Sequence, residues 1–322
     1  STLPTYQKEY GAGYGPYYNS FPGVGAGFAG FGSYDVNGDG IADPTTPFTE
    51  DASFGAPFDG APVYQWNSQY PELPNYKTAT PWLAARNDPT SAFVNSATYI
   101  NNISVQDANE NGSYRISWTN LDMKGVLENS LMERNTVSLN TTYNITDKLI
   151  ASASVNLMKA NTQGRNGTGY DARNLMQSWR QWFQVNVDVL EQKTAYFQTG
   201  RQNATWNGYS WDNPAPIYFD NPYFTLYENY ETDTKTRYFG NTSLSYEINN
   251  KLSIIGQVSF DTSNALMEER IQVGSVDPSS YSRINRDRSE FNYSVLLNYK
   301  DNFGNISFNA NAGANLRSSK YS

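Results

Sequence analysis

Cysteine and histidine are both absent from these 322 residues. The first absence excludes disulfides, thiol nucleophiles and Cys-ligated metals. The second removes Ser-His-Asp and Cys-His catalysis and nearly all zinc sites. Glycosidases still work without either residue, because they need only two carboxylates. Charge is sparse too, at 17% of residues against about 25% in ordinary soluble domains. It leans acidic, with 31 acidic and 23 basic residues and a net charge of −8. No Lys/Arg cluster offers a footprint for nucleic acid. Nor is there a run of about 20 apolar residues to make a transmembrane helix. Strands remain a route across a membrane, since barrel strands are only about 10 residues of alternating character. An initiator Met and a signal peptide are missing as well, which reads as a cleaved leader or an internal piece.

What is abundant is aromatic and neutral polar: 15% Phe, Trp and Tyr, including 25 Tyr, with many Asn, Ser and Thr. Residues 1–97 read as non-regular. Glycines at 11, 13, 15, 23, 25, 27, 30 and 32 and prolines at 44, 47, 57, 62, 71, 74, 81 and 89 interrupt any long ladder. The aromatics among them predict an ordered loop rather than a slack one. From about residue 98 the period becomes two. Strands are expected at 98–107, 112–122, 134–145, 148–160, 236–248, 251–263, 288–300 and 305–317. Each has one apolar face, such as Val137, Leu139, Tyr143 and Ile145, and one polar face, such as Ser138, Asn140, Thr142 and Asn144.

The connections alternate strictly. Short Asn/Asp-rich turns fall at about 108–111, 146–147, 249–250 and 301–304. Longer loops fall at 123–133, 161–235 and 264–287. All short turns therefore share one rim and all long loops the other, as in outer-membrane barrels with short periplasmic turns and long extracellular loops. The alternative is a soluble antiparallel sheet with one solvated face, which has no reason to keep that parity. The predicted fold class is all-β: about eight antiparallel strands of a transmembrane barrel, with 1–97 as an extracellular loop region and 98–322 as the wall carrying the large loop 161–235. No closing aromatic strand is visible at Ser318–Ser322, so an arc of a larger barrel is expected.

Several segments, in order, resemble the SusC/RagA family of TonB-dependent transporters of Bacteroidetes. They are Tyr6-Gln7-Lys8-Glu9-Tyr10-Gly11, Ser53-Phe54-Gly55-Ala56-Pro57-Phe58-Asp59-Gly60, Asn101-Asn102-Ile103-Ser104-Val105, Gly112-Ser113-Tyr114-Arg115-Ile116-Ser117, Lys124-Gly125-Val126-Leu127-Glu128-Asn129-Ser130, Arg134-Asn135, Ile145-Thr146-Asp147-Lys148-Leu149, Asp220-Asn221-Pro222-Tyr223 and Gly240-Asn241-Thr242-Ser243-Leu244-Ser245-Tyr246. The resemblance implies a 22-stranded barrel with an internal plug, neither the plug nor the later strands being present here. It also implies a SusD-like surface lipoprotein as lid, energy from TonB–ExbB–ExbD through the plug, and oligosaccharide or peptide cargo. On this reading the protein is an importer in the outer membrane of a Gram-negative bacterium and not an enzyme. The alternatives are a barrel serving as adhesin or secretion-complex subunit, and a carboxylate-only glycosidase on a β scaffold.

Two motifs could bind something. Asp35, Asn37, Asp39, Ile41 and Asp43 match the first nine positions of a calcium loop, with oxygens at 1, 3, 5 and 9, a carbonyl at 7 and Gly40 at the sharp turn. Thr46 replaces the usual Glu at position 12, and a plain Asn-Gly/Asp-Gly turn explains the motif equally well. In loop 161–235, Trp179, Trp182, Trp206, Tyr209, Trp211, Tyr218 and Tyr223 offer faces for cargo or a lid, against the plainer reading of loop packing. Asp171 is placed to cap a short helix there, whose stripe Leu175, Met176, Trp179, Trp182 and Phe183 reads as a packing face. The run Gly23-Val24-Gly25-Ala26-Gly27 lacks the strand and helix a dinucleotide site needs and is set aside.

Overall fold

The computed structural model describes residues 5–14, 31–171 and 173–322. Chain order begins with two small pairs, β1 (Gly32–Tyr34) with β2 (Asp43–Thr45) and β3 (Pro62–Val63) with β4 (Thr80–Pro81). The long strands follow: β5 (Ala97–Asn109), β6 (Gly112–Lys124), β7 (Leu131–Thr146) and β8 (Leu149–Gln163). After an insert containing β9 (Gly208–Ser210) and β10 (Asn213–Pro216) come β11 (Glu231–Asn249), β12 (Leu252–Ile271), β13 (Ser280–Phe303) and β14 (Ile306–Tyr321).

The eight long strands form one antiparallel sheet in the order β14-β13-β12-β11-β8-β7-β6-β5. Each pairs with its sequence neighbour, and the insert leaves and rejoins between β8 and β11. Among the described residues nothing pairs with the outer edges of β5 and β14, and the two edges do not meet. The wall is an open arc.

Tight turns close one rim, with side chains standing in for missing ladder partners. Asn109 Oδ1 accepts the amide of Asn111 at 2.9 Å, and Asn249 Oδ1 accepts those of Lys251 and Leu252 at 2.9 and 3.0 Å. Thr146 Oγ1 accepts from Leu149 at 3.1 Å. Lys251 Nζ lies 2.8 Å from Asp301 Oδ1 and ties neighbouring hairpins along that rim.

Register gives the sheet two chemically different faces. Val105 stands opposite Ile116, Ile116 opposite Leu139, and Leu139 opposite Val155. The other face pairs Ser104 with Ser117, Ser117 with Ser138, and Ser138 with Asn156. There Ser138 donates to Asn156 at 2.6 Å and Ser154 to Asn140 at 2.8 Å. Among the described residues nothing covers the apolar face: Ile103 is 64% exposed and Leu316 68%. Ala160 apart, every buried hydrophobic residue among those described lies outside the long strands. So large a bare apolar band is untenable in water and suits lipid.

Strands run further toward the loop rim than the alternation predicts. The expected loops 123–133 and 264–287 shrink to 125–130 and 272–279, and the insert to 164–230. The reason is physical. Lipid dictates alternation only over a band about 25 Å tall, and above it the ladder continues with polar pairs such as Glu268–Arg283 and Arg270–Tyr281.

Candidate functional site

The hydrophobic core sits on the loop rim. It joins residues far apart in sequence: Phe48, Trp66, Tyr70 and Leu73 from the N-terminal stretch, Leu127 from the β6–β7 loop, and Trp179, Phe183, Tyr196, Trp206 and Tyr223 from the insert. The stretch 31–96 and the insert thus fold as one loop-side domain rather than as separate loops. A second cluster packs Trp82 with Ala12 and Val63, Phe31 and Phe58 flanking it.

Buried amides stitch the two segments together. Gln184, fully buried, donates to the carbonyls of Pro47 and Glu50 at 2.8 and 2.6 Å. Asn186 Oδ1 accepts the Ala12 amide at 3.0 Å. Asn207 donates to Phe48 O at 3.0 Å and accepts the amides of Tyr218 and Phe219. Such satisfied networks specify one arrangement of otherwise irregular backbone.

Three short helices order the insert: α1 (Leu175–Gln181), α2 (Val189–Gln198) and α3 (Pro222–Tyr227). Each has a polar N-cap: Asn174, Asp188 and Asn221. The cap of α1 corrects the sequence-based expectation of Asp171. That carboxylate is held by Arg173, at 2.8 Å from Nη2, which keeps it below the usual carboxylate range, while Asn174 one turn later meets the first free amides. Within the expected stripe, Leu175, Trp179 and Phe183 are buried and Met176 packs on the same core.

The seven aromatics proposed for cargo or lid divide into three groups. Trp179 and Trp206 are 3% exposed and Tyr223 1%. These three are core residues, which corrects the expectation of a contact surface: Trp206 stacks on Phe219 and meets Phe183 edge-on. Trp182 and Trp211 are half-buried. Trp211 donates to Ser68 Oγ at 3.1 Å, stacks on Tyr34 at 5.3 Å, and has Lys77 Nζ 5.8 Å from its ring. Only Tyr209 and Tyr218 stand exposed. Aromatic content alone does not separate these groups. Packing against the 31–96 stretch does, and no period in that stretch announces it.

The 35–43 turn closes the β1–β2 hairpin, Tyr34 pairing with Asp43. Asp35 Oδ1 accepts Gly38 N at 2.7 Å and Oδ2 accepts Gly40 N at 2.9 Å. Asn37 accepts from Asp39, Asp39 from Ile41, and Asp43 from Val36. By type these donors suit calcium. Backbone amides bond the side-chain oxygens of Asp35, Asn37, Asp39 and Asp43, so the turn closes on itself whether or not an ion is bound. The Gly23–Gly27 run lies outside the described residues.

Charged contacts fix the domain to the wall. Gly164, where β8 leaves for the insert, has φ +69°, and a Cβ there would come within 2.2 Å of Asn129 O. Next to it Arg165 reaches Glu231, Asp233 and Glu269 at 3.1, 3.2 and 3.1 Å. Asp220 Oδ1 accepts from Asn203 and from the Val276 amide, both at 2.7 Å, and its Oδ2 accepts from Asn229 and Ser275. It thereby clips the β12–β13 loop to the insert. Burial raises the Asp220 carboxyl above its usual range; bonds from Ser275, Val276 and Asn203 oppose the rise and Asp277 adds to it. Burial also raises Glu191, helped by Asp188, and Glu50, helped by Asp51.

Neither a protein-family model nor a curated protein sequence matches the chain. Solved structures do. The RagAB peptide importer in a closed-closed state aligns at TM-score 0.52 and 15% identity, over 73% of this chain and 27% of that one. The RagAB peptide transporter aligns at 0.52 and 17%, over 73% and 26%. The open-open state of the importer aligns at 0.55 and 16%, over 80% and 29%. The likeness is one of fold. This chain has the fold of a transmembrane β-barrel wall with its loop-side domain, and it spans between 26% and 29% of the length of the chains it resembles.

Proposed function

We propose that the chain is part of the barrel subunit of an outer-membrane importer of SusC/RagA type, taking up peptides or oligosaccharides in a TonB-dependent way. One observation carries this reading. A wall with an apolar face bare among the described residues and an Asn/Ser/Thr face is joined to a folded domain on its long-loop rim, and 80% of the chain aligns by fold with a peptide importer. In this reading the apolar face meets lipid, the Asn/Ser/Thr face lines the lumen, and the long loops point out of the cell. The loop-side domain is the seat of a SusD-like lipoprotein, with exposed Tyr209 and Tyr218 and half-buried Trp182 and Trp211 as its contacts for cargo or lid. Energy would arrive from TonB–ExbB–ExbD through a plug.

The test is uptake by cells that express the complete gene product. Labelled peptides or oligosaccharides should enter only with the gene present and the proton gradient intact, and a surface lipoprotein should co-purify. Recovery from the soluble fraction without detergent would overturn the reading. Uptake that ignores the proton gradient would remove the TonB-dependent part of it.

A further inference from the structure

The polar face of β11–β14 concentrates positive charge in an otherwise acidic chain. Arg237 and Arg288 both pair with Ser263, from opposite sides, and Lys235 and Arg286 both pair with Ala265. Arg317 pairs with Asn292, two residues along the same face of β13 from Glu290. By register all five cations share one face with only two carboxylates in that span, Asp261 and Glu290.

The two carboxylates are used unequally. Asp261 is taken by Arg237 in a fork, 2.8 Å from Nε and 2.5 Å from Nη2. Arg237 is fixed further by lying 4.5 Å from the Phe239 ring centroid. Glu290 offers a single oxygen to two arginines, Arg317 at 2.8 Å and Arg288 at 3.4 Å. Their side chains are 62% and 60% exposed. Each guanidinium carries five N–H donors in a planar fork matched to carboxylate geometry, more than the one Glu290 oxygen they share can take up. On β13 the apolar belt begins at Phe291; Arg288 and Arg286 lie on its loop side, and the next carboxylates toward the loop rim on this face, Glu231, Asp233 and Glu269, are held by Arg165.

We propose that Arg288 and Arg317, supported by Arg286 and Lys235, form a carboxylate-binding subsite in the lumen wall that favours acidic cargo. The proposal rests on the import reading above. Two sources supply the same chemistry, acidic peptides and uronate-bearing oligosaccharides, and separate arms distinguish them.

The test uses the complete gene product with its partners in native outer membranes. Binding and uptake are measured for a Glu-rich peptide, its Gln counterpart of equal length, and a uronate oligosaccharide beside its neutral analogue. The wild type should prefer the acidic member of at least one pair. Arg288→Gln with Arg317→Gln should lower affinity for that member about tenfold, the scale of one lost charge-assisted hydrogen bond, and leave the neutral member unchanged. Heat-modifiable migration on gels checks that the variant barrel is folded. Lys300→Gln, at the turn end of the same face of β13, should change neither. Equal loss for acidic and neutral cargo, as when the arginines hold an acidic segment of the polypeptide itself, would overturn the subsite, as would no loss at all. If neither cargo class is taken up by wild type, the import reading fails; equilibrium binding to purified protein still decides the subsite.

Discussion

Asp188 holds Asn87 with one carboxylate oxygen while capping a helix with the other. Its Oδ2 accepts the Asn87 amide at 3.0 Å and the Asn87 side chain at 2.8 Å, and its Oδ1 accepts Leu190 N at 2.9 Å and Glu191 N at 3.2 Å. One side chain thus starts α2 and fastens the stretch before β5 to the insert after β8. Asp188→Ala should destabilise the loop-side domain by about 2 kcal/mol, combining a lost cap with a stranded amide. Limited proteolysis in detergent should then cut 31–96 and the insert while sparing the strands.

The core aromatics and the exposed ones should behave oppositely. Trp206→Ala leaves a cavity among Phe183, Phe219 and their neighbours and should cost about 3–5 kcal/mol. Tyr209→Ala should leave stability within about 0.5 kcal/mol and lower lid or cargo binding instead. Thermal unfolding followed by Trp fluorescence, beside a binding assay, reads both.

Asp220 makes the β12–β13 clip sensitive to pH. Its folded carboxyl titrates above its ordinary value because of burial. Its contribution to stability is therefore full below the ordinary carboxylate range and is lost as pH rises through the elevated folded value. Hydrogen exchange at residues 272–279 should speed up across that interval, and Asp220→Asn should flatten the dependence.

The 35–43 turn closes on its own amides, so chelation should leave hydrogen exchange there unchanged. Asp35→Ala removes contacts to Gly38, Asp39 and Gly40 and should loosen the turn with or without calcium. Protection gained on adding calcium to the wild type would assign the ion to these residues.

Neighbouring positions on β12 should respond differently to one added charge. Val258→Arg places a guanidinium on the apolar face and should cost about 2–4 kcal/mol if it falls near mid-membrane. Gln257→Arg points to the lumen and should cost within about 0.5 kcal/mol. The folded fraction in liposomes under urea measures the difference.

The wall was legible in sequence because lipid imposes a period of two and rim parity orders the loops. Its upper ends were not, since above the lipid Arg270 and Tyr281 pair as well as any apolar couple. The loop-side domain was the harder part. Gln184, Asn186 and Asn207 build it from contacts more than a hundred residues apart, and no local pattern encodes such contacts. Asp171 and Asn174 are both good caps by type, and only the competing Arg173 decides between them.

The wall strands lack cysteine, so each single replacement adds one thiol at a chosen position, read against the unsubstituted protein. Cysteines introduced in turn at Val137, Ser138, Leu139 and Asn140, and at Val155 and Asn156, would be probed in native outer membranes with a water-soluble maleimide. A wall between lipid and lumen predicts reaction at 138, 140 and 156 and protection at 137, 139 and 155. Uniform reactivity at all six positions would contradict it.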